Sequence, residues 1–248
     1  MNDELKLFVV THKPVDYLPE GRTFIGVGAN QNMENVSVYD SGLENISSKN
    51  YSYCELTALY WLWKNTNYGY IGFEHYRRYF CSKANIFHAS PLKPKKIKKI
   101  LKKNDMIVSN QFKFKDTIYE YYKKNHISSD MDITRQAICE LYPEYLPDFD
   151  AVMQGHKTSM CNMFVSSKQI MDKYCEWLFA VLAYAEERID ISDRDAYQKR
   201  IYGFLSERLL NVWLHHHSEF KIAHYPIYMP KQRPWIIKIK TLMKAVLK

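Results

Sequence analysis

The densest group of chemically capable side chains is Glu74-His75-Tyr76-Arg77-Arg78, which follows the apolar residues Tyr70, Ile71 and Phe73. Strand alternation sets His75 and Arg77 on one side and Glu74, Tyr76 and Arg78 on the other. Adjacent arginines at a strand end can grip an anion through paired N–H donors. In an open α/β sheet such a ligand sits beyond the carboxyl ends of the strands, and a diphosphate suits that place. The competing reading makes one arginine a surface ion-pair partner and His75 a core residue.

A second group lies on a helix expected over 194–213. There Arg200, Gly203, Glu207 and Asn211 share a face opposite Ile201, Leu205, Leu209 and Val212. Gly203 leaves room for a ligand beside Glu207, although a solvated face with an Arg–Glu pair gives the same pattern. Three Asp-x-Asp triplets occur, at Asp130/Asp132, Asp148/Asp150 and Asp193/Asp195. Only Asp130/Asp132 is placed tolerably for a divalent cation, and even there an N-terminal helix cap is the better reading. His215, His216 and His217 are consecutive, so on a helix they diverge and cannot converge on one ion. A helix C-terminus accounts for them. No GxGxxG follows the first strand, and there is no Walker A or GxSxG motif, which weakens dehydrogenase, P-loop and α/β-hydrolase readings.

These residues need a scaffold, and apolar runs supply one. Strands are expected at Leu5 to Val10, Phe24 to Gly28, Val36 to Tyr39, from Tyr70, at Asp105 to Ser109, at Met160 to Ser166 and over Lys221 to Tyr228. Ser52 and Glu55 have the spacing of a capping box opening a helix with Leu56, Leu59, Tyr60 and Trp63 on its stripe. Residues 116–142 and Gln169 to Arg188 read as helical. Ser192 and Asp195 form a second box ahead of the helix that ends near Trp213. Strands alternating with helices predict an α/β fold with a mainly parallel sheet. Residues 1–230 read as one compact domain with halves 1–110 and 111–230, followed by a tail at 231–248.

The 248 residues include 46% hydrophobic and 25% charged side chains, which excludes a disordered chain. The formal net charge is +8, yet residues 91–103 and 231–248 together carry +13, leaving the rest at −5. The folded portion is therefore mildly acidic, which argues against a nucleic-acid partner. The tail places Trp235, Ile236, Ile239, Leu242, Met243, Val246 and Leu247 in one arc, with Lys240, Lys244 and Lys248 opposite. That is the pattern of a helix lying in an anionic membrane surface. Residues 95–103 repeat it on a small scale, with Ile97, Ile100 and Leu101 on one side. Cys54, Cys81, Cys139, Cys161 and Cys175 are widely spaced and suit free thiols in a reducing cytoplasm. The N-terminus reads as a strand rather than a signal peptide. The expected location is cytoplasmic, peripheral at the inner face of the cell membrane.

The segments KNYSYCELTALYWLWKN, YIGFEHYRRYF, NMFV, YCEWLF and GFLSERLLNVWL, in that order, closely resemble a bacterial glycosyltransferase family. Its members occur in capsule, O-antigen and exopolysaccharide clusters, and it was long catalogued as a domain of unknown function. The resemblance runs from about Leu5 to Tyr228. It implies a GT-A-like fold and transfer of a sugar, galactofuranose in some relatives, from a UDP-sugar to a lipid-linked oligosaccharide. It makes 1–110 the nucleotide-sugar half and 111–230 the acceptor half. By motif, Thr11, His12 and Lys13 would border the nucleotide. Asp40, Asn45 and Asn50 would lie beside the uridine and ribose, and His75, Arg77 and Arg78 would meet the diphosphate. The family pattern has no conventional Asp-x-Asp at that strand end, and neither has this chain. Cationic side chains are thus expected to do part of a metal's task; Mg²⁺ or Mn²⁺ is allowed but not called for. For an inverting displacement, Glu207 is the first choice of base and Asp130 the second, while Asn162 and Arg208 would hold sugar hydroxyls or form the second face of the site. The competing class is a non-catalytic nucleotide- or carbohydrate-binding module.

Overall fold

The computed structural model describes residues 3–82 and 90–230. The chain opens with β1 (Leu5–Thr11), β2 (Arg22–Gly26) and β3 (Val38–Tyr39). A one-turn helix α1 (Asn50–Tyr53) leads to α2 (Leu56–Asn65), then β4 (Tyr70–His75), β5 (Tyr79–Phe80), α3 (Pro94–Leu101), β6 (Met106–Ser109) and β7 (Gln111–Lys113). The second half adds α4 (Ile118–Asn125), α5 (Ser128–Leu141), α6 (Leu146–Gln154), β8 (Lys157–Ser159), β9 (Phe164–Ser167), α7 (Lys168–Glu186), α8 (Ile201–His216), β10 (Ile222–Tyr225) and β11 (Ile227–Tyr228).

Seven strands form one sheet in the order β10-β6-β9-β4-β1-β2-β3. β4, β1, β2 and β3 pair in parallel, as do β10 and β6. β9 runs antiparallel between β4 and β6. This is the mixed, mainly parallel GT-A-like arrangement expected. Because β9 comes from the second half and lies between two strands of the first, the halves share one sheet. The register sets Val10 beside His75 and Thr11 beside Gly26, so β1, β2 and β4 end together at one rim.

β1 is central and covered on both faces, which is why Leu7, Phe8, Val9 and Val10 are all buried. On one face lies α7, with Met171, Tyr174, Cys175, Leu178, Val181, Leu182 and Ala185 buried at helical spacing. Ser167 caps α7 by accepting the Ile170 N–H, and Thr117 caps α4 by accepting that of Glu120. On the other face α3 inserts Ile97 and Ile100 beside Leu7, Phe80, Leu92, Ile107 and Val165. The apolar side of residues 95–103 is thus core, not a membrane-facing stripe. The tail 231–248, for which the same pattern was drawn, lies outside the described residues.

Three local expectations are corrected. Ser52 does not open a helix: it is buried within α1, and its hydroxyl donates to the Lys49 carbonyl at 3.2 Å. The chain then breaks at Cys54, with φ 53 and ψ −127, and α2 starts afresh after Glu55. Asp195 caps only the turn ahead of α8, accepting from Tyr197 and Gln198 N–H at 2.8 and 2.7 Å, so α8 begins at Ile201. β9 begins at Phe164 rather than Met160, because Cys161 (φ 81) and Asn162 (φ 41) make a left-handed turn.

Candidate active site

At the rim, the Thr11 hydroxyl bonds the backbone of Lys13 and bends the chain outward after β1. His12 meets the Tyr76 ring edge-on at 5.4 Å, and Lys13 Nζ and the Arg77 guanidinium lie 5.6 and 4.9 Å from that ring's centroid. These distances suit cation–π contact. Burial, then Lys13, Arg77 and Arg200, lowers the His12 pKa. The rim is therefore basic, with His12 kept neutral among fixed cations.

Strand alternation stops at His75. The chain turns there, with Arg78 N–H donating to the His75 carbonyl at 2.8 Å and His75 N–H to the Arg78 carbonyl at 3.3 Å. The expected division into two faces consequently fails beyond that point. Glu74 faces inward, where Arg22 Nε lies 2.5 Å from its Oε2 and the Phe80 N–H donates to its Oε1 at 2.8 Å. Arg22 also donates to the Leu92 carbonyl at 3.0 Å. Glu74 thus anchors the turn from below and takes no part in the rim.

His75 is buried, and its Nε2 has no hydrogen-bond partner. Burial first, then Arg78 and Arg77, pushes its pKa down to about 3, so the ring is neutral. Arg77 is exposed and Arg78 half-buried, and among the described residues neither makes an ion pair. Two guanidinium groups without an ion pair beside an unsatisfied imidazole are groups that an anion would satisfy.

A second cluster adjoins the first. The α1–α2 junction seats on α8 at Gly203, where an added Cβ would stand 3.4 Å from Cys54. Arg200 Nε lies 3.3 Å from Cys54 Sγ, and Glu207 lies on the same stripe of α8, four residues beyond Gly203. Glu55 sits at this junction, half-buried, and burial, reinforced by Glu207, pushes its pKa up to about 7. Glu207 shares an oxygen with Arg208 at 3.1 Å. The thiols stay protonated: burial raises Cys54 and pushes Cys161 up to about 12.

The other expected site residues are placed differently. Asn50 lies beneath the rim, donating to the Cys54 carbonyl at 2.7 Å and to the Thr57 hydroxyl at 3.1 Å. It also explains Gly28, whose φ is +87 and whose Cβ would stand 3.1 Å from Asn50 Oδ1. Asp40 is fully enclosed, and neither carboxylate oxygen has a hydrogen-bond partner; burial raises its pKa. The Thr57 hydroxyl beside it donates to Cys54 O at 3.1 Å. Asn45 is exposed and folds its own loop, accepting from Ser47 and donating to Leu43 O at 2.9 Å. Asn162 is fully buried, accepting from Tyr174 at 3.1 Å and donating to Ser206 at 3.3 Å, so it is not free for sugar hydroxyls. Arg208 is buried over the Tyr122 ring at 5.3 Å and bonds the Phe204 carbonyl. Asp130, proposed as a base, is locked in a two-pronged pair with Arg194 at 2.7 Å.

The Asp-x-Asp triplets are divided among structural partners. Asp132 accepts from Tyr119, Asp150 pairs with Arg135, and Asp148 accepts from His215 and His216 at the end of α8. Asn211, one turn beyond Glu207, bonds Ser159 and the Glu207 carbonyl. It also lines a cavity of about 790 Å³ between α6, α8 and the β7–β8 ribbon.

The spacing of Glu55 from Ser52 imitates a capping box, which hides in the sequence that Glu55 ends at the α1–α2 break beside α8. Arg200 had been placed on the correct face but given no role at the rim.

The sequence profile of DUF4422, a domain of unknown function, matches residues 6–218. None of the curated proteins is significantly similar. Among solved structures, the chain is similar to apo WbbM, a bifunctional glycosyltransferase, with a TM-score of 0.83 and 27% identity over 92% of this chain. It spans 45% of that protein's length. With the profile covering most of its length, this chain belongs to the DUF4422 family.

Proposed function

We propose that the chain is a glycosyltransferase that takes a sugar from a UDP-sugar and passes it to a lipid-linked oligosaccharide in bacterial surface-polysaccharide synthesis. The observation that carries this reading is the unsatisfied His75 beside unpaired Arg77 and Arg78 at the carboxyl end of β4. A diphosphate brings the negative charge and acceptor oxygens that this group lacks. Thr11, His12 and Lys13 border the adjoining rim, where the nucleoside would lie, with Asn50 beneath it. As the sugar departs, charge grows on the diphosphate, and preorganised cations stabilise it there. The likeness to a bifunctional glycosyltransferase across 92% of this chain supports the same reading.

The acceptor enters from the α8 side, where the cavity beside Asn211 has room for further sugar units. A hexose is the donor sugar in this reading, and the displacement is inverting. No described helix is long and apolar enough to cross a membrane. The basic tail at 231–248 would bring the enzyme to anionic lipid, where a lipid-linked acceptor resides.

The test is calorimetric binding of UDP, followed by UDP release from a panel of UDP-hexoses. Binding that Arg78→Ala weakens, together with slow UDP release, supports the assignment. Binding without release under any acceptor condition would favour a non-catalytic nucleotide-binding module.

A further inference from the structure

Resting on that functional reading, we propose that Glu55 is the catalytic base that takes the proton from the incoming acceptor hydroxyl. Three observations carry it. First, Glu55 stands where the chain is strained: Cys54 before it has φ 53 although it is not glycine, and both residues lie in the break between α1 and α2. Backbone strain of this kind collects at functional sites. Second, among the described residues Glu55 makes no ion pair and no side-chain hydrogen bond to another residue, while the neighbouring acids are committed. Glu207 is bound to Arg208 and Asp130 to Arg194. Third, it directly follows Cys54, which lies 3.3 Å from Arg200 Nε and packs against Gly203 of α8, so it stands at the α8 junction, where the charges of Glu207, Arg200 and Arg78 act on it.

The titratable and charged groups whose charges act on Glu55, or on which it acts, are Cys54 beside it, Arg200 and Glu207 of the α8 region, Arg78 of the β4–β5 turn, Cys161 before β9 and Tyr174 of α7. Both thiols and the Tyr174 phenol hold their protons, so none of them competes as a base. In the step, the acceptor oxygen forms a bond to the anomeric carbon as the bond from that carbon to the diphosphate breaks. The bonding pair leaves with UDP, and the hydroxyl proton passes to the Glu55 carboxylate, which becomes a neutral acid. Glu207 acts through Glu55: its negative charge keeps the base from ionising too readily and so keeps it basic enough to accept a proton.

The experiment compares wild-type protein with Glu55→Gln and Glu207→Gln. It measures UDP affinity by calorimetry, thermal midpoint, and the pH profile of UDP release from the UDP-hexose of the panel hydrolysed fastest, with water as acceptor. General-base loss costs about 10²- to 10⁴-fold. Glu55→Gln is therefore expected to slow release by that factor and to abolish the rise on the acid side, with UDP affinity within about threefold and the fold intact. Glu207→Gln is expected to keep the acid-side rise but move it to lower pH. A Glu55→Gln protein that binds UDP and retains the wild-type rate and pH profile overturns the assignment of Glu55 alone. Wild-type protein that neither binds UDP nor releases it from any UDP-hexose overturns the glycosyltransferase reading and this inference with it.

Discussion

Arg22 lies sealed against Glu74, its Nε 2.5 Å from Oε2, directly beneath the turn that presents Arg77 and Arg78. Both side chains are almost wholly shielded from solvent. Removing one partner strands a buried charge, which costs about 3–5 kcal/mol. Glu74→Gln and Arg22→Met should each lower stability by that order in urea denaturation. Replacing both by apolar residues should recover much of the loss.

The two arginines above the pair should separate cleanly. Arg78 is half-buried and unpaired, so Arg78→Ala removes a charge-assisted contact and should weaken UDP binding about tenfold to a hundredfold. Arg77 is exposed over Tyr76, where water screens it, so Arg77→Ala should cost about threefold. Neither substitution should shift the thermal midpoint by more than a degree or two. Calorimetric titration with UDP checks both.

Glu55 also predicts a pH effect on stability. Unfolded, it titrates near 4.5, whereas folded it titrates near 7. Between those values the folded chain binds more protons, so this group makes stability fall as pH rises through the window. Glu55→Gln removes the fall. The variant should match wild type near pH 4 and exceed it by roughly 1–3 kcal/mol at pH 8. Denaturation curves at the two pH values decide it; equal differences at both would count against the burial of this carboxylate.

The two lysine-rich segments should behave differently. Ile97 is fully buried, so Ile97→Ala should destabilise the protein by about 2–5 kcal/mol while leaving its affinity for anionic vesicles unchanged. Deleting residues 231–248 should do the reverse, abolishing flotation with phosphatidylserine vesicles and sparing the thermal midpoint.

Asn162 should prove structural. Asn162→Ala leaves the Tyr174 hydroxyl and Ser206 without their partner in a dry setting and places alanine at φ 41. The expected loss is about 1–3 kcal/mol. A normal Michaelis constant in the surviving folded protein would separate this from a role in sugar binding.

How much of this was legible in the sequence depended on range. β1 and α7 are written locally, as an apolar run and an apolar stripe, and both lie close to where those patterns put them. The basic turn after β4 was legible because its residues are contiguous. The pairs that decide roles were not. Arg22 meets Glu74 across 52 residues and Asp130 meets Arg194 across 64, and no local pattern announces either. The positive φ values at Cys54 and Cys161 were hidden for a different reason. Left-handed turns are anticipated from glycine, and here the surrounding packing imposes them on cysteine.

The reversed strand β9 has a consequence for how the chain is made. β4 and β6 are both synthesised well before Phe164–Ser167, the segment that must slot between them. Until it is synthesised, β4 and β6 each lack the partner for one backbone edge, and such open edges favour wrong pairing. The exposed lysines of α3 lie between those strands in sequence, and like charge on a waiting chain opposes association with another copy.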